Sequence, residues 1–333
     1  MAKTLRLVFA ALLTVALARD AAAHDRPAAM SYAAYEMLSA VVDVLKQHHV
    51  NRGKVDWPSL EDEAFAMVSA AQKPRDTAPA IQFLIRSLGE RHTFLIGSAQ
   101  WKAMTSGETS GTARGAAFGT LPVANLMQGG IGYLALPGHD GSASDDVAYV
   151  AVLRNALRLF RTRGVCRFIV DLRGNAGGNM FPMQSGLVSL LGRGPYGYWD
   201  DGAGLAPWPD PEKVARMDGI VAGPYAARPA DQSRAAVAVL IDRRTASSGE
   251  SAAIAFEGRP RARLFGEPTA GLTTGNEAFA LPDGMHIAVT TVRAMDRNKR
   301  PFPIAVVPDV ETPPGAETND AALAWLRAQR CPR

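Results

Sequence analysis

The stretch Ala236–Phe256, AVAVLIDRRTASSGESAAIAF, constrains the fold more than any other part of the chain. Its opening, Val237-Ala238-Val239-Leu240-Ile241, is an unbroken apolar run of the length and β-branched content of a buried strand. From about Ser251 the sequence is Ala-rich with no breaker until Gly258, which reads as a helix. Thr245-Ala246-Ser247-Ser248-Gly249-Glu250 therefore sits where a strand becomes a helix N-terminus. Two readings fit that junction. Ser247-x-x-Glu250 is a capping box, which needs no chemistry. The same place also suits a nucleophile, because exposed N–H groups and the positive end of the helix dipole favour an alkoxide and the oxyanion that follows it.

The chain has 333 residues, 47% hydrophobic and 20% charged, enough apolar content for one large domain or two modest ones. Its first 23 residues read as a leader outside the fold. Lys3 and Arg6 form a basic start, Leu7–Ala18 an apolar run, and Ala21-Ala22-Ala23 a cleavage site. That run is shorter than the ~20 residues a membrane-spanning helix needs, and no Cys follows it to carry a lipid. No stable membrane anchor is expected. Losing Lys3, Arg6 and Arg19 together with Asp20 lowers the formal charge from +4 to +2. With no basic stripe interleaved with aromatics, nucleic acid is set aside as a partner. Cys166 and Cys331 are the only cysteines, compatible with one disulfide in an oxidising compartment or with two idle thiols. They cannot form a Cys-rich metal site, and no metal or cofactor is expected.

Along the chain, Ser31–Val50 carries a helical stripe at Met37, Leu38, Val41, Val42 and Leu45. Ser59-x-x-Asp62 opens a second helix, and Ile81–Leu88 reads as a third, stopped by Gly89. His48-His49 falls at a helix end, where a solvated or dipole-paired role is expected. Leu88-Gly89-Glu90-Arg91-His92-Thr93-Phe94 is a polar knot between apolar segments, and residues 98–120 read as loop. Ile131–Leu136 and Arg167–Leu172 are strands flanking an amphipathic helix, Val147–Arg163, a βαβ-type unit. The second strand runs into Arg173-Gly174-Asn175-Ala176-Gly177-Gly178-Asn179, a Gly-rich turn whose N–H groups can approach a ligand. It matches neither nucleotide-binding glycine pattern. Residues 193–235 read as a long irregular segment, a lid or a core-covering excursion. Ala262–Phe265 is a strand, and Pro282-Asp283-Gly284 turns a hairpin whose second arm is His286–Val292.

Three separated motifs then coincide in order: Asp171-Leu172-Arg173-Gly174-Asn175-Ala176-Gly177-Gly178; Thr245–Glu250 followed by Gly266-Glu267-Pro268-Thr269-Ala270-Gly271; and Leu281–Gly284 with Val307-Pro308-Asp309. Together they resemble the C-terminal processing (tail-specific) serine proteases and their relatives, which include the tricorn core protease and the retinoid-binding repeats of interphotoreceptor protein. The likeness spans about residues 88–312. It implies an α/β, crotonase-like spiral core, residues 91–312, behind a helical subdomain, residues 24–90, with 313–333 as a C-terminal tail helix. It also turns the junction's reading toward Ser247 as nucleophile. The N–H of Ser248 and that of Gly177 or Gly178 would form the oxyanion hole.

The sequence departs from that family in two places. Tail-specific enzymes pair the serine with a Lys, and here Leu272 stands in its place, so a Ser–Lys dyad is excluded. The tricorn-like branch uses a His from the Asp-x-His-Thr region, the slot that Glu90-Arg91-His92-Thr93 fits. His92 is therefore the expected base, with His139 and His286 as competitors. The orienting Glu of that branch is replaced by Phe302-Pro303-Ile304-Ala305. Glu277, Asn276 and Asp296 are the candidates for its role, with Glu277 chosen. Between Phe94 and Gly130 there are only 37 residues, too few for the PDZ domain most tail-specific proteases carry. The resemblance implies an exported serine peptidase, periplasmic or extracellular, acting on peptide or protein through an acyl-enzyme. The rival is an inactive protein of the same fold that holds a lipid or peptide. Oligomeric state is not readable.

Overall fold

The computed structural model describes residues 25–105, 120–139, 143–217 and 228–332. The expected leader, residues 1–23, lies outside the described residues, as do 106–119 of the stretch read as loop. In chain order the helices are α1 (Tyr32–His48), α2 (Trp57–Met67), α3 (Ala78–Ser87), α4 (Ser98–Thr105), α5 (Ala143–Thr162), α6 (Met180–Leu191), α7 (Pro211–Met217), α8 (Ser248–Ile254) and α9 (Ala316–Arg327). The strands are β1 (Phe94–Ile96), β2 (Val123–Met127), β3 (Ile131–Ala135), β4 (Arg167–Asp171), β5 (Gly197–Asp200), β6 (Leu205–Pro207), β7 (Ala236–Ile241), β8 (Ala262–Gly266), β9 (Thr274–Ala280), β10 (His286–Asp296) and β11 (Val310–Glu311). The chain divides into two compact units, Met1–Ser106 with Thr274–Val292 and Gly107–Thr273 with Arg293–Arg333. This differs from a division at residue 90, because the hairpin of β9 and β10 returns to the N-terminal helices.

In the first unit, Ser31 caps α1, its hydroxyl accepting the Ala34 N–H at 3.2 Å. The stripe of α1 packs Met37, Leu38, Val41 and Leu45 against Phe65, Ile81 and Leu84, and against Ile287 and Val289 of the hairpin. Truncating Leu38 or Leu84 to Ala in so closed a core would cost about 2–5 kcal/mol. β1 pairs antiparallel with β10, Phe94 opposite Ala288. Two local expectations are corrected. Helix α2 starts at Trp57, ahead of Ser59, where Pro58 presets the first turn and the Trp57 indole donates to the Arg52 carbonyl at 2.8 Å. Residues 98–105 are helix α4 rather than loop, and Trp101 stacks on the His286 ring with centroids 3.8 Å apart.

The second unit is built on a six-stranded sheet in the order β11-β8-β7-β4-β3-β2. All its neighbours are parallel except β2, which lies antiparallel on β3. β7 is buried at every position, as its unbroken apolar run requires. Ala322 and Leu326 of α9 close one face over Ala238, Leu240 and Phe265, so the C-terminal helix belongs to the core. Of the segment 193–235, residues 218–227 lie outside the described residues, and 193–217 take the core-covering alternative: β5 and β6 pair, and the buried Trp199 meets the buried Trp208 at 5.1 Å between centroids. Glu212 of α7 forms a buried ion pair with Arg154 of α5. Cys166 and Cys331 are bonded, with 5.6 Å between Cα atoms, and tie the chain beyond α9 to the start of β4. Among the described residues no helix is long and apolar enough to cross a membrane, and no cluster of His, Cys, Asp and Glu could hold a metal ion.

Candidate active site

β3, β4 and β7 are parallel neighbours, so their carboxyl ends release Leu136–His139, Leu172–Asn179 and Asp242–Ser247 along one edge of the sheet. Open α/β sheets carry their sites at such edges. Side chains fix these turns to one another. Asp242 Oδ1 accepts the N–H groups of Gly174, Arg244 and Thr245 at 2.9–3.0 Å. Asn175 donates its amide to the Leu136 carbonyl at 3.0 Å, and its own carbonyl accepts the Ala246 N–H at 2.9 Å.

Ser247 stands at the tip of the third turn with φ 51° and ψ −118°. An ordinary N-cap has extended backbone angles, and a side chain held in this region costs about 1–3 kcal/mol. The surrounding contacts hold it there. Glu250 is buried, and its Oε2 accepts the Ser247 N–H at 2.8 Å. Close packing adds to this: a Cβ at Gly249 would lie 2.5 Å from the Asn175 carbonyl oxygen, and one at Gly177 would lie 2.8 Å from the Ser247 Cβ. Only glycine fits at either place.

The N–H groups around Ser247 divide into used and unused. That of Gly177 donates to Asn175 Oδ1 at 2.9 Å, so it is committed within the turn. The carbonyls on either side of Gly178 are engaged, by His139 N–H at Gly177 and by the Ser248 hydroxyl at Gly178. Among the described residues, the N–H groups of Gly178 and Ser248 have no partner. Of the two glycines left open by the sequence, Gly178 is therefore the one with a donor to offer.

Glu250 also accepts from Thr269 Oγ1 at 2.5 Å and from the N–H groups of Gly271 at 3.0 Å and Leu272 at 2.8 Å. Burial pushes its carboxyl up, and these donors oppose the shift. Leu272, in the place of the family lysine, contributes only its backbone here.

In the first unit, His92 is buried, and its Nδ1 lies 2.7 Å from the Thr274 hydroxyl. With Nδ1–H donating to that oxygen, Nε2 carries the lone pair, and it has no partner among the described residues. Burial lowers the His92 pKa, with the Glu90 carboxylate acting in the opposite sense. Glu90 Oε2 accepts the His92 N–H at 2.5 Å and the Thr290 hydroxyl at 3.0 Å. Its Oε1 takes the Thr93 N–H and the His49 Nε2, each at 3.1 Å. Burial alone would raise the Glu90 carboxyl, but these four donors outweigh it and hold it at about 2. His49 is thus a buried, fully satisfied side chain rather than a solvated one, its Nδ1 accepting the Asn51 N–H at 3.0 Å.

Glu277, expected to orient His92, is found elsewhere: its Oε1 accepts from the Thr291 hydroxyl at 3.3 Å. The alternation of β9 gives the reason. Thr274 and Asn276 reach His92, through Nδ1 and through its carbonyl at 2.6 Å, and Glu277 points to the other face. Asp296 is spent on the N–H groups of Asn298 and Arg300, both at 2.8 Å. His139 is buried with Nε2 on Asp146 Oδ1 at 2.5 Å, and His286 lies under Trp101. Thr274 and Glu90 were missed as partners of His92. Glu90 stood two residues away, but nothing local marks a hydroxyl 182 positions on.

Residues 130–312 match the family described as Peptidase family S41. The chain is 30% identical over 285 residues to the nisin-resistance protein of Lactococcus lactis subsp. lactis, spanning 82% of this chain and 81% of that protein. It is 31% identical over 174 residues to carboxyl-terminal-processing peptidase 2, chloroplastic, of Arabidopsis thaliana, spanning 52% of this chain and 30% of that one. A solved structure of a lipoprotein from Streptococcus agalactiae superposes with a TM-score of 0.74 at 21% identity, covering 90% of this chain and 97% of that one. At that identity the likeness is one of fold.

Proposed function

The chain belongs to peptidase family S41, and from that premise we propose that it is an exported serine peptidase working through an acyl-enzyme on Ser247. The observation that carries the reading is the strained Ser247 backbone at the start of α8, with the N–H groups of Gly178 and Ser248 unpartnered among the described residues. In the proposed reaction, His92 Nε2 takes the Ser247 hydroxyl proton as Oγ attacks the peptide carbonyl carbon. The carbonyl oxygen becomes an oxyanion received by Gly178 and Ser248 N–H. The imidazolium returns the proton to the leaving amine as the C–N bond breaks. Water, deprotonated by the same nitrogen, then attacks the acyl carbon, the C–Oγ bond breaks with the imidazolium proton returning to Ser247 Oγ, and the acid leaves. Peptide or protein is the substrate class that the family implies. The leader-like residues 1–23 and the Cys166–Cys331 bond support export. So do a relative named for nisin resistance and a fold neighbour described as a lipoprotein.

The second reading, an inactive binding protein, draws on one observation. His92 Nδ1 meets a neutral hydroxyl where a carboxylate would stabilise the imidazolium. Labelling with a fluorophosphonate separates the two. Covalent labelling of the wild type that is abolished in Ser247→Ala and kept in Ser248→Ala is the expected result. An unlabelled wild type would favour the binding protein, and labelling that survives Ser247→Ala would remove Ser247 from the mechanism.

A further inference from the structure

The second unit carries a cleft of about 470 Å³ beside the Cys166–Cys331 bond, lined by Arg193, Arg234, Arg259, Arg261, Arg297 and Arg330. Among the described residues no carboxylate lines it. Asp296, next to Arg297, spends its oxygens on the loop from Asn298 to Arg300, and Asp231, an exposed residue, acts electrostatically on Arg193 and Arg259 from outside the lining. The floor is rigid and permanently cationic. Arg259 is buried, and its guanidinium donates to the carbonyls of Leu190, Ser233 and Ala235 at 2.6–2.9 Å, dipoles that fix it without neutralising it. Arg261 and Arg297 each hold one backbone carbonyl or more, of Arg330 and of Ala255, and each leaves a buried Nε–H with no acceptor. The guanidinium groups of Arg193, Arg234 and Arg330 make no hydrogen bond or ion pair among the described residues.

A basic rim alone is ordinary solvated charge. Here the like charges crowd. Burial first, then the neighbouring Arg297 and Arg261, pull the Arg259 pKa down to about 10. The two orphaned buried donors add a cost of about 1–3 kcal/mol each. We infer that this cleft binds a phosphate-bearing anion with at least two phosphoryl groups. Guanidinium forks match phosphate oxygens two at a time. A single carboxylate would answer one of six charges, and the cleft is of the size that holds a small molecule rather than one inorganic ion.

Titration calorimetry of the full chain with sodium pyrophosphate, at about 0.15 M salt to screen diffuse attraction, tests the inference. The pocket variant is Arg193→Gln/Arg234→Gln/Arg330→Gln, whose side chains make no hydrogen bond among the described residues. Arg86→Gln/Arg161→Gln/Arg163→Gln removes the same charge from exposed positions elsewhere. Expected is a dissociation constant below about 1 mM, weakened about tenfold or more in the pocket variant and unchanged in the control. No binding, or equal weakening in both variants, overturns the site. Sedimentation with phosphatidylcholine vesicles, with and without cardiolipin, whose headgroup carries two phosphoryl groups, assigns the source. Retention only on the cardiolipin vesicles, lost in the pocket variant, supports the site with a lipid headgroup as its phosphate. Pyrophosphate binding without retention supports it with a soluble anion.

Discussion

Replacing Glu90 with Gln tests how His92 is held. All four partners of the carboxylate are donors: His49 Nε2 and Thr93 N–H on Oε1, His92 N–H and Thr290 Oγ1 on Oε2. A Gln must turn its NH₂ toward one of these pairs. Facing the first, it orphans both, since His49 cannot change tautomer while its Nδ1 accepts the Asn51 N–H. Facing the second, it can donate to Thr290, whose proton then goes to Asn276 Oδ1 at 3.1 Å, but the His92 N–H is lost. The cheaper orientation therefore sacrifices the backbone of His92. One orphaned donor and weaker remaining bonds predict a loss of about 2–4 kcal/mol. The displacement of the carboxyl from 4.5 to about 2 gives the same scale, about 3 kcal/mol before discounting for partial exposure. The sign follows from a depressed acid. The stabilisation is complete above pH 4.5 and is lost as pH falls toward about 2. Urea unfolding of wild type and Glu90→Gln at pH 7 and pH 3 should show a gap that narrows in acid, with slower fluorophosphonate labelling at pH 7. Equal stability at pH 7, or a gap that persists undiminished in acid, refutes the network.

Three further outcomes are expected. If the buried imidazole of His92 is the base, kcat/KM rises with pH through one ionisation below the ordinary 6.5 and stays flat above it; a rise centred above 6.5 contradicts this. Thr274→Val should lower kcat/KM by about tenfold or less, the value of one hydrogen bond, with Glu277→Gln near wild type. A loss of about 10⁴ in Glu277→Gln, the scale of a triad carboxylate, would restore Glu277 to the site. Mass spectra of unreduced, alkylated protein should show no free thiol, and Cys331→Ser should cost about 2–5 kcal/mol for the long loop it opens; two alkylated cysteines would refute the bond.

The parts of the fold legible in the sequence are those whose signal is local. β7 reads from six consecutive buried positions, and α1 from a stripe with its own Ser cap. The errors fall where partners are remote. Helix α4 has little amphipathic pattern and rests on Trp101 meeting His286, a contact across 185 residues of sequence that no window contains. The ordered part of 193–217 depends in the same way on Trp199, Trp208 and the Arg154–Glu212 pair. The return of β9 and β10 to the N-terminal helices is a property of topology rather than of composition.

Within the site the same division has a chemical edge. Ser247 is visible because a strand, a turn and a helix meet there in sequence, and the capping-box pattern that marks the helix start also supplies the carboxylate that pins it. The two readings of Ser247-x-x-Glu250 were therefore not exclusive: Glu250 caps the Ser247 N–H and, through Thr269, Gly271 and Leu272, fixes the segment that leads into β9. That strand begins at Thr274, whose hydroxyl meets His92. Charge alone points to Glu277 as the orienting group, whereas the structure places the Thr274 hydroxyl on His92. Alternation decides otherwise, since Thr274 and Asn276 share a face and Glu277 does not. A hydroxyl can select the tautomer of His92 but adds no negative charge to stabilise the imidazolium. With Nε2 unpartnered among the described residues and Nδ1 on the Thr274 hydroxyl, the geometry supplies orientation. In the proposed mechanism the electrostatic assistance would come from Glu90, whose carboxylate raises the His92 pKa against burial.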